Sequence, residues 1–368
     1  MYLRSLSIVN FKNIRESTVD FSPRLNCLIG DNGAGKTNVL DSLYYLSFCK
    51  SFFNPVDLLN ICHGESFFML NGKYFRREAD ETVACGFQSG QKKQFKRNGK
   101  VYKKLADHIG LLPLVMVSPS DANLILGGSD ERRKFMDGVI SQYDPGYLEY
   151  LLRYNRVLLQ RNNLLKQPVT DPALLSEMLA VYDMQLVEFG ERIHQMRREF
   201  IEKLIPVFQY FYSFISQGNE TVGLSHQSDL YGNNFGQLLA DALPRDRVAQ
   251  FTTVGIHKDD LQLSLDSYPI KKLGSQGQQK TYLVALKLAQ YEFIRQLSGM
   301  KPILLLDDIF DKLDRNRVEQ IVKVVSGDAF GQIFITDTNR EHLDSILHSV
   351  TPDYRLFKVI NGKIELAS

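Results

Sequence analysis

The chain has 368 residues, 44% hydrophobic and 23% charged, which describes a folded protein of one large domain or two and excludes a disordered chain. Its net charge of +2 neither demands nor excludes nucleic acid, because a local patch matters more than the sum. No run of eighteen apolar residues is present and the start lacks a signal-peptide apolar region, so a membrane span is excluded and a cytoplasmic location is expected.

Tyr2 to Val9 alternates apolar and polar residues and predicts a strand, followed by a turn at Asn10–Ile14 and a second strand at Ser17–Phe21. Lys12, in the turn, reads as a solvent-exposed base, with contact to a bound nucleotide as the alternative. Leu25–Ile29 predicts a short buried strand. The stretch Gly30-Asp31-Asn32-Gly33-Ala34-Gly35-Lys36-Thr37 follows, and apolar residues at helical spacing continue from Val39 to Phe48. Strand, glycine loop and helix form the context of a P-loop, in which backbone N–H groups surround phosphates. Lys36 reaches the β- and γ-phosphates, and the Thr37 hydroxyl sits on Mg²⁺. The cysteines Cys27, Cys49, Cys62 and Cys85 are far apart and read as buried free thiols rather than a zinc or redox site.

Further along, Lys92, Lys93, Lys96, Arg97, Lys100, Lys103 and Lys104 follow one another with no acid between them, and Asn98-Gly99 predicts a tight hairpin turn in their midst. A basic two-stranded ribbon suits the phosphate backbone of a nucleic acid, although lysines also protect sheet edges. Leu111–Val117 predicts an apolar strand. From there to about Tyr212 the pattern is mostly helical. A long helix runs from Leu174 to Ile205 and breaks before Pro206. The helices suggest a short antiparallel arm. His257, Asp259 and Asp260 lie in what reads as a surface turn and make a weak metal candidate.

Leu273–Lys280 precedes a long helix, and Ser275 and Gly277 at its start offer either a second anion site or a plain serine cap. Pro302–Asp308 is apolar on both faces and ends in two carboxylates, so it predicts a central parallel strand. Asp307 is placed for the Mg²⁺ shell, and Asp308 for orienting or deprotonating an attacking water. A later strand ends at Thr336-Asp337-Thr338, where Thr336 and Thr338 stand at the position of a γ-phosphate sensor.

Together these residues resemble the ABC-type ATPases of the SMC class, and more closely the RecF family of bacterial recombination mediators. The resemblance runs through Asn10–Asn13, the P-loop, Lys50-Ser51-Phe52, Lys96–Gly99, Arg132–Asp137, Gly255–Asp260, Ser275–Gln278 and Asp307-Asp308. Ser120 departs from it, standing where the family often has Glu. The resemblance implies an α/β fold: an ABC-type P-loop ATPase head with a mixed sheet (residues 1–118 and 250–368) and an inserted mostly helical lobe (119–249) carrying the arm. It implies that Ser275, Gly277 and Gln278 form the ABC signature, which caps the γ-phosphate held by a second copy in an ATP-dependent head-to-tail homodimer, with Asp314 near that interface. It implies slow, DNA-stimulated ATP hydrolysis, DNA binding at gaps and single-strand/double-strand junctions, the partners RecR and RecO, and loading of the RecA recombinase. An SMC-type ATPase subunit of a nuclease complex is the alternative, although such chains carry a far longer coiled-coil insertion.

Overall fold

The computed structural model describes residues 1–168, 172–218, 220–309, 313–338 and 354–367. The chain divides into two compact units, Met1–Ala122 with Tyr210–Asn219 and Ser275–Ser368, and Asn123–Gln209 with Glu220–Gly274.

The first unit opens with β1 (Tyr2–Phe11), β2 (Ile14–Asp20) and β3 (Leu25–Ile29), then the helix α1 (Lys36–Phe48). Next come β4 (Phe67–Arg76), β5 (Ala79–Gln88), β6 (Gln94–Arg97), β7 (Lys100–Val101) and β8 (Leu114–Val117). The alternation in β1 is that of a half-buried strand, with Leu6 and Ile8 in the core. β1 and β2 form an antiparallel sheet with β4 to β7, in the order β2-β1-β4-β5-β6-β7. At its edge, β6 and β7 meet through the expected tight turn: Asn98 (φ 48°) and Gly99 (φ 79°) both take the left-handed conformation that such a hairpin requires.

The second unit contains α2 (Ala122–Leu126, its first residue still within the first unit), α3 (Ser129–Tyr143), α4 (Pro145–Leu165) and α5 (Pro172–Ser216) as far as Gln209, the rest of α5 belonging to the first unit. It continues with β9 (Val222–Gln227), α6 (Phe235–Ala249), β10 (Asp260–Leu265), β11 (Tyr268–Pro269) and α7 (Ile270–Leu273). Because β10 pairs with β9 along its length, the chain returns to the first unit at Ser275 rather than at residue 250. α5 also corrects the expected break before Pro206. It continues to Ser216 because the apolar face persists beyond the proline in the buried Phe208, Phe211, Tyr212 and Ile215. That burial outweighs the roughly 3 kcal/mol cost of an internal proline.

A further correction concerns Gly255–Asp260, which is not a surface turn. Asp259 is buried and accepts from Arg197 Nη1 at 2.8 Å, and Arg132 forks onto Asp260 at 2.6 and 3.0 Å. His257 bonds the Tyr154 hydroxyl at 2.9 Å and Thr252 O at 3.0 Å. These ion pairs hold the second unit together from within, as does the fully buried Arg161 on Asp183 and Asp246.

Back in the first unit lie α8 (Gln276–Ser298), β12 (Ile303–Asp307), α9 (Arg315–Val325), β13 (Ile333–Asp337), β14 (Tyr354–Ile360) and β15 (Lys363–Leu366). The second sheet runs β15-β14-β3-β13-β12-β8 and is parallel except for the β14–β15 pair. α1 contacts β1, β4 and β5 of one sheet and β8, β12 and β13 of the other. A helix covered on both sides must be apolar nearly all round, and α1 buries Val39, Leu40, Leu43, Tyr45 and Leu46. Phe11 packs edge-on against Phe68 (5.3 Å) and Tyr45 (5.9 Å) in the core so formed.

Candidate nucleotide site and basic ribbon

The parallel sheet brings the nucleotide residues together through its register. β13 lies between β3 and β12, pairing Thr336 with Asp307 on one side and with Leu28 on the other. The carboxyl ends of all three strands therefore face the loop after β3, where ligands of such sheets bind. Two glycines of the loop are fixed by space. A Cβ on Gly30 would lie 2.3 Å from Val359 O, and one on Gly35 (φ 115°) would lie 2.8 Å from Asn13 Oδ1. Gly35 is also the N-cap of α1 and offers no side-chain cap, so the backbone donors of the first turn stay open to an anion. Asp31, Asn32 and Gly33 are exposed, and Ala34 is buried.

Lys36 is buried and donates to Gly30 O (2.5 Å) and Asp31 O (3.0 Å), which holds its ammonium over the loop. The Thr37 hydroxyl donates to Asp307 at 2.9 and 3.1 Å. Thr336 Oγ1 donates to Asp307 Oδ1 at 2.8 Å and accepts from the backbone N of Asp308 at 3.0 Å. Burial pushes the Asp307 carboxyl above its ordinary value, opposed by the Thr336 and Thr37 hydroxyls, while the neighbouring charge of Asp308 pushes the same way as burial. Asp308 has a left-handed backbone (φ 50°) and is half-buried, set apart from the buried Asp307. Thr338 is exposed just past the strand end and is not part of this cluster.

Asn13 was not assigned a role by sequence reasoning. Its amide donates to Gly33 O (3.3 Å) and Ala34 O (3.2 Å) and its oxygen accepts from Asn38, so it braces the loop from the β1–β2 turn. Its place in the Asn10–Asn13 motif was the available signal. Lys12 is corrected. It is not solvent-exposed but pairs with the fully buried Asp41 of α1 at 2.6 Å.

Ser275 is exposed and caps α8. Its hydroxyl accepts from Gln278 N (3.2 Å), and its own N–H donates to Gln278 Oε1 (2.8 Å). Gly277 lies under Arg317, whose Nη1 would be 2.9 Å from a Cβ there. Arg317 pairs with Asp314, the exposed N-cap of α9.

On the ribbon, Lys92, Lys96, Lys100, Lys103 and Lys104 are exposed. Lys93 and Arg97 correct the expectation of a uniformly DNA-facing set. Lys93 Nζ reaches Cys49 O (2.6 Å) and Asp57 (3.0 Å), and Arg97 pairs with the buried Glu81 at 2.9 Å. The acids absent from the local sequence are supplied by β5 and by the turn after α1.

Residues 2–359 match the RecF/RecN/SMC N-terminal domain. The chain is 54% identical over 367 residues to the DNA replication and repair protein RecF of Bacteroides thetaiotaomicron, covering 99% of this chain and 98% of the relative. The chain belongs to the RecF family. It is also 48% identical to RecF of Flavobacterium johnsoniae, over 98% of this chain and 100% of that one. Among solved structures, the recombination mediator RecF with ATP superposes with a TM-score of 0.88 at 28% identity, covering 100% of this chain and 98% of that one. An SMC head bound to part of ScpA shares the fold, with a TM-score of 0.60 at 14% identity. The chain is thus a recombination-mediator ATPase of the RecF class, built on an ABC-type head with a helical insertion. No helix among the described residues is long and apolar enough to cross a membrane.

Proposed function

We propose that ATP closes two copies of this chain head to tail and that the closed dimer holds DNA for recombinational repair, with hydrolysis as the release step. The observation that carries the reading is the meeting of Lys36, Thr37, Asp307 and Thr336 at the carboxyl end of one parallel sheet. Lys36 and the open first turn of α1 bind the phosphates of ATP. The Thr37 hydroxyl and Asp307 carboxylate are adjacent hard oxygen donors, which suits Mg²⁺, and these two residues would hold it. Held there, Mg²⁺ would neutralise charge on the phosphates. Asp308 orients and deprotonates the attacking water, its position fixed by the N–H bond to Thr336.

Ser275 supports the dimer. It is an exposed cap on the 23-residue helix α8, and a helix N-terminus of that length favours an anion such as a γ-phosphate presented by a second copy. Asp314 sits beside the same surface through Arg317. ATP then stabilises the dimer by mass action. The exposed ribbon lysines face the DNA backbone, and dimerisation raises affinity by presenting two ribbons. Gaps and junctions as the DNA target, RecR and RecO as partners, and RecA loading as the outcome follow from the family.

The test is mass in solution with ATP and without DNA, in an Asp308→Asn background that hydrolyses slowly. Ser275→Arg is expected to keep ATP binding and remain monomeric. Equal dimerisation with and without Ser275→Arg would remove the signature from the interface.

A further inference from the structure

The second unit holds a cluster that neither nucleotide nor DNA binding uses. His194 lies on α5, His226 on β9, and Asp259 immediately before β10. One ligand atom from each lies within 4.8 Å of the others. His226 and Asp259 are buried and His194 is half-buried. Two buried atoms, His194 Nδ1 and Asp259 Oδ1, have no hydrogen-bond partner among the described residues. The Ser228 hydroxyl lies close to the Asp259 carboxylate and stabilises its charged form. Leaving such atoms unpaired is unfavourable, so their pairing with a common ligand is favourable.

The groups around them are arranged as supports. Asp259 Oδ2 accepts from Arg197 at 2.8 Å and from His226 Nε2 at 3.1 Å, which leaves Oδ1 free. The Asp259 backbone carbonyl accepts from Arg133 at 2.7 Å. His226 Nδ1 lies 3.0 Å from the Tyr231 hydroxyl. Metal-bound imidazoles and carboxylates are oriented by neighbouring hydrogen bonds of this kind. A cavity of about 260 Å³ reaches the cluster at His194, which lines it with Arg198, Tyr231 and Asn233, while His226 and Asp259 lie outside its lining.

We propose that His194 Nδ1, His226 Nε2 and Asp259 Oδ1 form a three-ligand site for a divalent first-row transition metal, with solvent completing the shell. Two imidazoles and a carboxylate suit Zn²⁺ and Co²⁺ and disfavour Mg²⁺ and Ca²⁺, which take oxygen donors. Binding moves the His226 proton from Nε2, where it serves Asp259, to Nδ1, where it is donated to Tyr231. Tetrahedral coordination also draws the ligand atoms inward by up to about 1.5 Å. Arg197 stays on Oδ2 and lowers the affinity by charge repulsion, so the site is of moderate strength. The metal would fasten α5 to β9 and to the start of β10.

The full chain, free of nucleotide and in excess Mg²⁺ to saturate Thr37 and Asp307, is titrated with Co²⁺ and with Zn²⁺. The expected result is uptake of about one ion per chain, visible ligand-field bands from Co²⁺, and a Zn²⁺-dependent rise in thermal midpoint. His194→Gln and His226→Gln are each expected to abolish all three. His194→Gln removes no hydrogen bond at Nδ1 but gives up the ring contacts with Tyr231 and His226, so its metal-free midpoint is measured beside wild type to separate a defect in binding from a defect in folding. The proposal is overturned by absence of stoichiometric uptake, as when an ordered water satisfies both atoms, or by uptake that both variants leave unchanged.

Discussion

The nucleotide corner and the basic ribbon belong to the same unit, yet the relation between sequence and structure differs between them. At the corner, residues named for one chemistry converge: Thr37 and Asp307 are far apart in the chain and 2.9 Å apart in space. On the ribbon, residues named for one surface separate. Lys96 is exposed, while the neighbouring Lys93 and Arg97 are tied to Asp57 and Glu81. A phosphate loop needs a fixed backbone, so its glycines and its lysine must occur at fixed spacing, and the spacing is visible in sequence. A charged surface needs only charge. Whether a given lysine faces solvent depends on acids that tertiary structure brings from elsewhere.

The sharpest way to break the comparison is at the corner. Lys36→Ala removes a charge-assisted hydrogen bond to phosphate of about 3 kcal/mol, so ATP affinity should fall roughly a hundredfold in a protein that still folds. Equilibrium nucleotide binding measures it, and wild-type affinity would sink the phosphate assignment. Asp308→Asn should leave ATP affinity near wild type and slow hydrolysis by about a hundredfold or more, because the water-orienting carboxylate is neutralised. Single-turnover hydrolysis decides this, and an unchanged rate would move the catalytic role to another residue.

The ribbon offers a sharper division than its sequence suggests. Replacing Lys92, Lys96, Lys100 and Lys103 with Gln should weaken DNA binding and lower the salt dependence by about 0.9 log–log unit for each phosphate no longer neutralised. Lys93→Met should act differently. It leaves Asp57 without its cation in a half-buried setting, which costs about 1 kcal/mol of stability, and it should leave the salt slope unchanged. Equal slopes for the quadruple variant and wild type would make the ribbon a protected sheet edge instead.

Much of the fold was legible because strand and helix periods are strong where one face is buried, as in β1, or where a whole element is, as in β12. What escaped was set by partners distant in sequence. Pro206 reads as a helix end, but the apolar face beyond it keeps α5 intact. His257 and Asp259 read as a polar turn, but Arg197 and Tyr154 draw them inside. Asn13 reads as a turn residue because its part in bracing the loop depends on Gly33 and Ala34 arriving beside it.

The smallest effect concerns pH and bears on the ribbon alone. His108 is fully buried beneath it, its ring 5.2 Å from those of Phe95 in β6 and Tyr102 just after β7. Nε2–H donates to Leu46 O at 2.6 Å, so Nδ1 accepts from the Tyr102 hydroxyl at 3.1 Å in the neutral ring. Burial lowers the His108 pKa, with the bond to Leu46 O opposing it. The unfolded chain therefore takes up this proton first. The stability that His108 contributes is present above its unfolded pKa of about 6.5 and is lost as pH falls from there toward the depressed folded value. Between pH 7.5 and pH 5.5 the thermal midpoint of wild type should fall further than that of His108→Gln, by on the order of 2 °C. Gln can keep a donor toward Leu46 O without titrating. Parallel pH profiles for the two proteins would mean that protonation of His108 does not weaken the base of the ribbon.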